Sequence, residues 1–291
     1  MSAIRHELFA QAARACERLG PQPLARALLV DPEPSPTRDA EFGLLALADG
    51  SAGLYYAWLG GEQASLPARF RATELEGLDI LDVCRLYLED SDVERSLGLA
   101  AISAVTASVY RRAGYAPPVA EDSFAGLALA RGDRLGMVGN FPPLVRRARA
   151  LGADVAVVER KPHMVTREEG LVISLDAAVL HDRDKIICTG ATLLNDSFDA
   201  MLAHCAGAAC IALVGPTVGF FPDAVFSRGV DVVAGTRVRD VERARTRLAA
   251  GKRMGDAAER TLIRRADYPG FATLLERLDP GPVRLPDAAG A

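Results

Sequence analysis

The sequence predicts an α/β protein, with a Rossmann-like, mainly parallel and doubly wound sheet in its second half, preceded by a smaller α+β domain. From residue 125 onward, short apolar runs alternate with helical segments, which is the pattern of right-handed strand–helix–strand crossovers. These runs are apolar throughout, as expected for strands buried on both faces. We therefore expect domains at residues 1–115 and 116–278, followed by a flexible, Pro- and Gly-rich tail at 279–291.

The N-terminal half reads as helices around one hairpin. An amphipathic pattern predicts a first helix over Ser2–Leu19. Two apolar runs, Phe42–Ala48 and Gly53–Trp58, flank an Asp-Gly turn signal and predict a β-hairpin. The chain from Ala72 is expected to be helical. The stretch Leu97–Val109 is small or apolar on every face, which predicts a buried helix.

The second half follows a linker at 113–124 that contains two prolines and a glycine. A final helix is expected to end at Gly251, a plausible C-terminal cap. The other predicted elements are strands at 134–139, 154–159, 185–190, 210–215 and 230–235, and helices at 142–151, 168–179, 196–206 and 222–228.

Composition narrows the class of partner and the compartment. The 291 residues carry a net charge of -4, so no overall basic field would hold nucleic acid. Five cysteines without a clustered framework indicate reduced thiols and a cytoplasmic protein. No apolar run reaches the length needed to span a bilayer, which is about 18 residues. We expect no membrane and no nucleic-acid partner.

The first predicted strand of the second half ends in a turn suited to a ligand. Gly139 and Asn140 leave the strand, and Phe141 and Pro142 start the next helix. The free N–H groups of such a helix start can bind an anion or carboxylate. The motif lacks the G-x-G-x-x-G pattern, which argues against a dinucleotide cofactor. The alternative is a tight structural turn without a ligand.

Glu159 lies at the end of the second strand, about 20 residues after Gly139, where an acidic side chain often accepts hydrogen bonds from a ribose. An acidic residue there, beside a partly formed glycine turn, is the arrangement of a nucleoside site, with S-adenosylmethionine as the best guess. The alternative is a surface ion pair with Arg160 or Lys161.

The third and fourth strand ends add hydroxyl and glycine residues. Thr192 or Asn195 could cap the following helix, with Asp196 in its first turn. Phe220 and Phe221 could be exposed for stacking on a ligand or could cover the sheet. The remaining binding candidates at these two ends are Thr189, Gly190, Gly215, Pro216 and Thr217.

Metal-ligating residues are sparse. In the segment "HCAGAAC", His204 precedes Cys205 and Cys210, and buried core cysteines are the favoured interpretation. His163 follows Glu159 in a loop, where it could be a metal ligand or an acid/base, or neither. No Ser-His-Asp order or G-x-S-x-G motif is present, so the catalytic residues are left unassigned.

Five motifs occur in order and resemble the putative heavy-metal chelation family. They are "RSLGLAAISAV", "GMVGNFPPLV", "RKP" after Glu159, "ICTGATLLNDSFD" and "LVGPTVGFFPDAVFSRGVDVVAGTRV". The resemblance implies a Rossmann-like domain joined to an enolase-N-terminal-like domain, with a metal or metal chelate bound in the cleft between them. The chain departs from the family's usual pattern at Ser103, at Asp196-Ser197 and at Thr217-Val218-Gly219.

Three hypotheses follow. The first is a small-molecule-binding enzyme that uses a nucleoside-type cofactor, S-adenosylmethionine by preference, for transferase or lyase-type chemistry. The second is a non-catalytic binder or carrier of a metal or metal chelate. The third is a structural or regulatory protein with an empty cleft. Two-domain proteins of this type often form homodimers, and we expect one here.

Overall fold

The computed structural model describes residues 3–30, 42–57, 70–120 and 124–278. Its helices are α1 (Ala3–Leu19), α2 (Ala72–Leu75), α3 (Ile80–Arg85), α4 (Asp92–Arg112), α5 (Pro142–Ala150), α6 (Phe198–Ala203), α7 (Asp223–Phe226), α8 (Val241–Ala249) and α9 (Phe271–Glu276). Its strands are β1 (Leu24–Leu28), β2 (Phe42–Leu47), β3 (Ala52–Tyr56), β4 (Arg134–Val138), β5 (Asp154–Val158), β6 (Thr166–Glu168), β7 (Leu171–Ser174), β8 (Lys185–Thr189), β9 (Cys210–Val214), β10 (Val232–Val238) and β11 (Ala258–Arg264).

The smaller sheet is antiparallel, with the order β1-β2-β3, and it packs on the buried helix α4. Sixteen of the 21 residues of α4 are buried, which confirms the predicted all-apolar helix. Gly53 of β3 lies so close to this helix that a Cβ atom at this position would come within 1.9 Å of the Ala100 carbonyl oxygen. Glycine therefore sets the distance between sheet and helix.

The larger sheet has the order β11-β10-β9-β8-β4-β5-β7-β6. Strands β4, β5, β7, β8, β9 and β10 are parallel, and the edge strands β6 and β11 run antiparallel to their neighbours. The chain starts at β4, builds outward through β5 and β7, and then returns to β8 on the other side of β4. This reversal makes the β4–β8 boundary the topological switch point and confirms the predicted α/β class.

The two faces of the larger sheet bury different partners. On one face, Leu135 and Met137 of β4 pack with Val145 and Ala148 of α5. On the other face, residues such as Cys188 belong to the same hydrophobic cluster as helices α1 and α4 of the N-terminal half. The two halves of the chain thus share one core. The boundary near residue 115 stays a prediction.

The predicted helix over 168–179 is wrong. This stretch holds β6, a turn at Gly170 with φ +70°, β7 and a 3-10 turn at Ala177–Leu180. In β7, Leu171 and Ile173 are buried and alternate with less buried neighbours, and this period of two outweighed the helix-favouring Glu-Glu pair before Gly170. The other expected helices and strands of this half are present with ends shifted by a few residues.

Besides β6 and β7, two more strands were missed by the sequence pattern. β1 is short, and β11 mixes charged and apolar residues at the sheet edge. The predicted linker is partly paired with β11, because the Leu262 N–H donates to the Pro118 carbonyl at 2.8 Å and the Ala120 N–H donates to the Arg260 carbonyl at 2.9 Å. The expected tail lies outside the described residues. None of the described helices has the length and apolar composition that a bilayer crossing requires.

Candidate functional site

The predicted strand-end residues gather at the switch point of the larger sheet. Gly139 follows β4 with φ +89°, a conformation that favours glycine, and a Cβ there would lie 3.1 Å from the Thr189 methyl carbon. The Gly139 N–H donates to the Val158 carbonyl at 2.9 Å. The ends of β5, β4 and β8 are therefore in contact, where open α/β sheets bind their ligands. Phe141 precedes α5, and Pro142 starts it, as expected.

Glu159 braces this turn through both of its carboxylate oxygens. Its Oε2 accepts the Asn140 N–H at 3.1 Å, and its Oε1 accepts the N–H groups of Arg160 at 2.8 Å and Lys161 at 3.3 Å. The carboxylate thus fixes the β4 and β5 turns relative to each other. The structure shows backbone donors, instead of the Arg160 or Lys161 side chains, as the partners of Glu159.

The segment after β8 uses most of its polar side chains internally. Thr189 Oγ1 accepts the Ala191 N–H at 3.3 Å, and the buried Thr192 hydroxyl donates to the Thr189 carbonyl at 2.7 Å. Asn195 Oδ1 accepts from the N–H of Ser197 at 3.2 Å and from its hydroxyl at 2.6 Å, just before α6. Gly190 is buried within the same turn.

The prediction that Asp196 lies in the first turn of α6 is wrong. Asp196 has φ +57° and precedes the helix, and Asp199 is the acidic residue of the first turn. The Asp196 carboxylate instead accepts a hydrogen bond from Arg5 at 2.8 Å. The Asp196 carboxylate therefore interacts with Arg5 of α1, and not with the N-terminus of α6 as the sequence predicts.

The loop after β9 joins the switch point to the N-terminal half. A Cβ on Gly215 would lie 3.7 Å from the Gly190 nitrogen. Thr217 is buried and lies beside Gly190. Phe220 and Phe221 are fully buried, and the Phe221 ring packs edge-on against Tyr110 at 5.8 Å. The Phe221 ring therefore covers the sheet, whereas Phe220 also lines the cavity described next, so its contact with a ligand stays a prediction.

A cavity of about 480 Å³ opens next to this loop, between the two halves of the chain. Its walls are the β2–β3 hairpin tip at 50–54, the C-terminal part of α4, the segment 114–117, the loop at 216–220, and strands β10 and β11. Of the strand-end candidates, Pro216 lines this cavity, beside Val218 and Gly219. The volume is typical of a small-molecule site.

The hairpin tip is held over the cavity by Asp49. Its Oδ1 accepts the Ser51 N–H at 2.8 Å, and its Oδ2 accepts the Ser108 hydroxyl of α4 at 2.7 Å. Burial opposes ionisation of this carboxyl, but these hydrogen bonds and the nearby Arg111 guanidinium lower its pKa. Asp49 is therefore an ionised anchor, and the predicted Asp-Gly turn is confirmed with Gly50 at φ +81°.

Two hydroxyls in the cavity wall are buried without a hydrogen bond of good geometry among the described residues, although the Ser51 hydroxyl lies near the Asp49 carboxylate. They belong to Ser51, which is 3% exposed, and to Tyr110, which is 7% exposed. The Tyr110 hydroxyl lies close to Tyr268 and Asp223 without good hydrogen-bond geometry, and burial raises its pKa well above the usual range. Buried polar groups normally have hydrogen-bond partners, so both hydroxyls are available to form hydrogen bonds with a ligand.

The charged side chains that line the cavity are all cationic. They are Arg111 at the end of α4 and Arg237 and Arg239 of the β10 end. Glu259, which does not line the cavity, binds Arg237 through Nε at 2.7 Å and lies 3.5 Å from Arg239. One carboxylate thus faces two guanidinium groups, and Arg239 keeps 63% of its side chain exposed.

Metal ligands do not converge in this region. No Asp, Glu, His or Cys lines the cavity, and no group of three such residues occurs in the described part of the chain. His163 is exposed in a 3-10 turn at Pro162–Met164, and its assignment stays a prediction. Cys205 is buried and Cys210 half-buried, as the core interpretation expects.

Sequence reasoning missed most of the cavity wall. Ser51, Tyr110, Arg237 and Arg239 come from elements that have no recognisable ligand motif. One signal was available, because Ser103, which departs from the family pattern, lies in this wall. From the segment "GLYYAWLGG", Gly53 and Leu54 contribute to the wall, and residues 58–61 lie outside the described residues. The residues just before Leu97 contribute nothing to it.

The C-terminal half of the chain is similar to known proteins. Residues 122–266 match the family DUF364, described as "Putative heavy-metal chelation". An uncharacterized protein of Methanocaldococcus jannaschii is 32% identical over 155 residues, which cover 52% of this chain. The match spans 58% of the length of that relative.

Two crystal structures share the fold, and both are DUF364 proteins of unknown function. The protein from Pyrococcus horikoshii is 21% identical with a TM-score of 0.64, and the match covers 88% of this chain and 99% of that one. The protein from Desulfitobacterium hafniense is 19% identical with a TM-score of 0.62, and the match covers 89% and 99%. These similarities support the fold across both halves.

Proposed function

Because residues 122–266 match the family described as "Putative heavy-metal chelation", we propose that the chain is a binding protein for a small organic anion of the metal-chelating kind. The ligand occupies the cavity between the hairpin tip, α4 and strands β10 and β11. The observation that carries this proposal is the wall itself, which combines three arginines with two buried hydroxyls that make no hydrogen bond of good geometry among the described residues, and which has no acidic side chain.

The arginines select the charge of the ligand. A guanidinium group binds a carboxylate or phosphate with two parallel hydrogen bonds, and it keeps its charge at every physiological pH. Arg111, Arg237 and Arg239 approach the cavity from two different elements, so a ligand with two or more anionic groups can contact both sides. Ser51 and Tyr110 then supply hydroxyl groups at the buried wall.

A bare heavy-metal ion does not fit this cavity. Soft metals prefer thiolates and imidazoles, and the described wall offers hydroxyls, backbone groups and cations instead. A cationic wall also repels an unliganded metal ion. A metal enters this cavity only as part of an anionic chelate, in which the organic ligand supplies the donor atoms.

Native mass spectrometry of the purified protein, with elemental analysis of the same sample, is the first test. We expect a retained organic mass that disappears on denaturation. Citrate, a tricarboxylate chelator, serves as the added probe in thermal melts of the wild type and of Arg237→Gln. Stabilisation by citrate that is weaker in the variant supports the proposal. Equal stabilisation of both proteins, or none of the wild type, contradicts it.

The enzyme hypothesis with S-adenosylmethionine is a second candidate, favoured by the position of Glu159 beside Gly139 at the switch point. Both Glu159 oxygens already accept backbone N–H groups, so a ribose would share an occupied carboxylate. Calorimetry with S-adenosylmethionine tests it. Binding to the wild type that Glu159→Ala abolishes, while Glu168→Ala retains it, supports the nucleoside site. Unchanged affinity in Glu159→Ala removes the ribose assignment.

A further inference from the structure

Two histidines meet near the amino ends of β8 and β9, at the end of the larger sheet opposite the strand-end candidates. The Nε2 atom of His181 and the Nδ1 atom of His204 are 2.8 Å apart, and the two rings lie nearly parallel at 13° with centroids 4.9 Å apart. The centroid separation is close to the nitrogen separation plus two ring radii. The two nitrogens therefore point at each other, and the rings share one N–H···N hydrogen bond.

Both rings are carried by fixed backbone. His181 follows the 3-10 turn Ala177–Leu180, and its N–H donates to the Ala178 carbonyl at 3.2 Å. His204 ends α6, where its N–H donates to the Met201 carbonyl at 3.1 Å. The buried neighbours Leu180 and Cys205 anchor each end in the core. The pair is thus preorganised on two elements that precede β8 and β9.

The neighbouring ionisable groups are engaged elsewhere. Asp182 pairs with Arg183 at 2.9 Å, and the Cys205 thiol donates to the Met201 carbonyl at 3.2 Å. His181 is exposed, so the ring nitrogens can be reached from solvent. Neutral imidazole is the commonest protein ligand for transition metals, and the two facing nitrogens are close enough for one ion to bind both once the shared proton has moved.

We propose that His181 and His204 form a two-imidazole site for a divalent transition-metal ion of the nickel, copper or zinc type. One ring of the neutral pair moves its proton to the outer nitrogen, so that the protons sit on His181 Nδ1 and His204 Nε2, and no proton is lost. The inner nitrogens then both bind the ion, at about 2.0–2.1 Å each if the ion is zinc, after the rings separate or pivot. Water or a second molecule fills the remaining positions.

This site is separate from the proposed anion cavity. The histidines precede β8 and β9, whereas the strand-end candidates and the cavity lie at the carboxyl ends of the parallel strands. The proposal therefore does not rest on the proposed function. Failure of one leaves the other untouched, because Ni²⁺ probes the histidines and citrate probes the cavity.

Isothermal titration of the metal-free full chain with NiCl2 tests the site. We expect one Ni²⁺ per chain, and a dissociation constant that is at least about tenfold larger in His181→Ala and in His204→Ala than in the wild type. The matched control His6→Ala, another exposed histidine, keeps the wild-type affinity. MgCl2 gives no binding, since Mg²⁺ prefers oxygen ligands.

A second measurement does not depend on heats of binding. Paramagnetic Ni²⁺ should broaden the ring resonances of His181 and His204 before those of His6 and His163. Absence of saturable binding to the wild type overturns the proposal. Wild-type affinity in either His181→Ala or His204→Ala, or loss of binding in His6→Ala, overturns it as well. Unchanged melting temperatures of the metal-free variants confirm that the chain stays folded.

Discussion

The Arg5 guanidinium donates a hydrogen bond to the Asp196 carboxylate at 2.8 Å, which joins the first helix of the chain to the segment after β8. Arg5 is 2% exposed, and its Nη1 atom also donates to the Glu89 carbonyl at 2.9 Å. The second buried arginine nearby, Arg95, donates to the Leu194 carbonyl at 2.5 Å. The N-terminal half therefore fixes one of the strand-end segments through buried charge.

This contact predicts a stability loss for Asp196→Asn. Asparagine tolerates the positive φ of this position, so the substitution removes the charge and leaves the backbone unstrained. We expect the free energy of unfolding to fall by about 2 kcal/mol, because Arg5 stays buried without an anionic partner. Urea denaturation measures the change.

The matched control is Asp82→Asn, which breaks the exposed pair with Arg85 at 2.7 Å. This substitution should change stability by less than about 0.5 kcal/mol, as usual for surface ion pairs. Equal losses in the two variants would show that burial of Arg5 does not matter.

Gly53→Ala should disrupt the contact between β3 and α4. A methyl group here would come within 1.9 Å of a backbone oxygen that cannot move without shifting the helix. We expect a loss of about 3 kcal/mol or more. In the control Gly207→Ala, the nearest atom is 3.5 Å away, and thermal melts should detect little change. A stable Gly53→Ala protein would contradict this packing.

Ala107→Leu should narrow the cavity between the two halves. Ala107 lines the wall on α4, and leucine adds volume there. Stabilisation by citrate should fall while the melting temperature of the ligand-free protein stays close to that of the wild type. Ala203→Leu, at an exposed site on α6, provides the control and should keep the citrate response. A full response in Ala107→Leu would place the ligand elsewhere.

The cysteines should react in the order of their burial. Burial raises the pKa of the Cys188 thiol to about 12 and that of Cys205 to about 11, so little reactive thiolate exists near neutral pH. Cys210 is half-buried and should be alkylated first. Mass spectrometry after timed iodoacetamide treatment at pH 7.5 measures the order. Rapid modification of Cys188 in the folded protein would contradict it.

The raised pKa of the Cys188 thiol makes the stability of the folded state depend on pH. The folded state keeps Cys188 protonated, whereas the unfolded chain loses the proton near the ordinary pKa of 9.0. The stabilisation from this thiol is complete below pH 9 and is lost as the pH rises toward 12.

We also expect Cys205→Ser and Cys210→Ser to leave the metal content unchanged, since these cysteines belong to no group of three metal ligands in the described residues.

Local patterns predicted the strands that lie in the middle of the larger sheet. Runs such as Lys185–Thr189 and Cys210–Val214 are apolar because they are covered on both faces, and that requirement is visible in any single window of sequence. The edges were harder. Strand β11 has solvent on one side and pairs with Pro118 and Ala120 from the linker. Its charged residues interrupt the alternation of apolar and polar residues by which a strand is recognised. The expected homodimer stays a prediction.

The sequence by itself determined the α/β class, the buried helix α4 and the turn at Gly139, because each follows from local periodicity or from one residue's backbone freedom. Only the tertiary structure decided which side chains face a ligand. The sequence predicts Asp196 as a helix residue, but the structure shows it as the partner of Arg5. Tyr110 and Arg237 lie in one cavity wall, although they are far apart in the sequence. Such contacts join residues far apart in the chain, and their energies depend on burial and neighbouring charge, which no local pattern encodes.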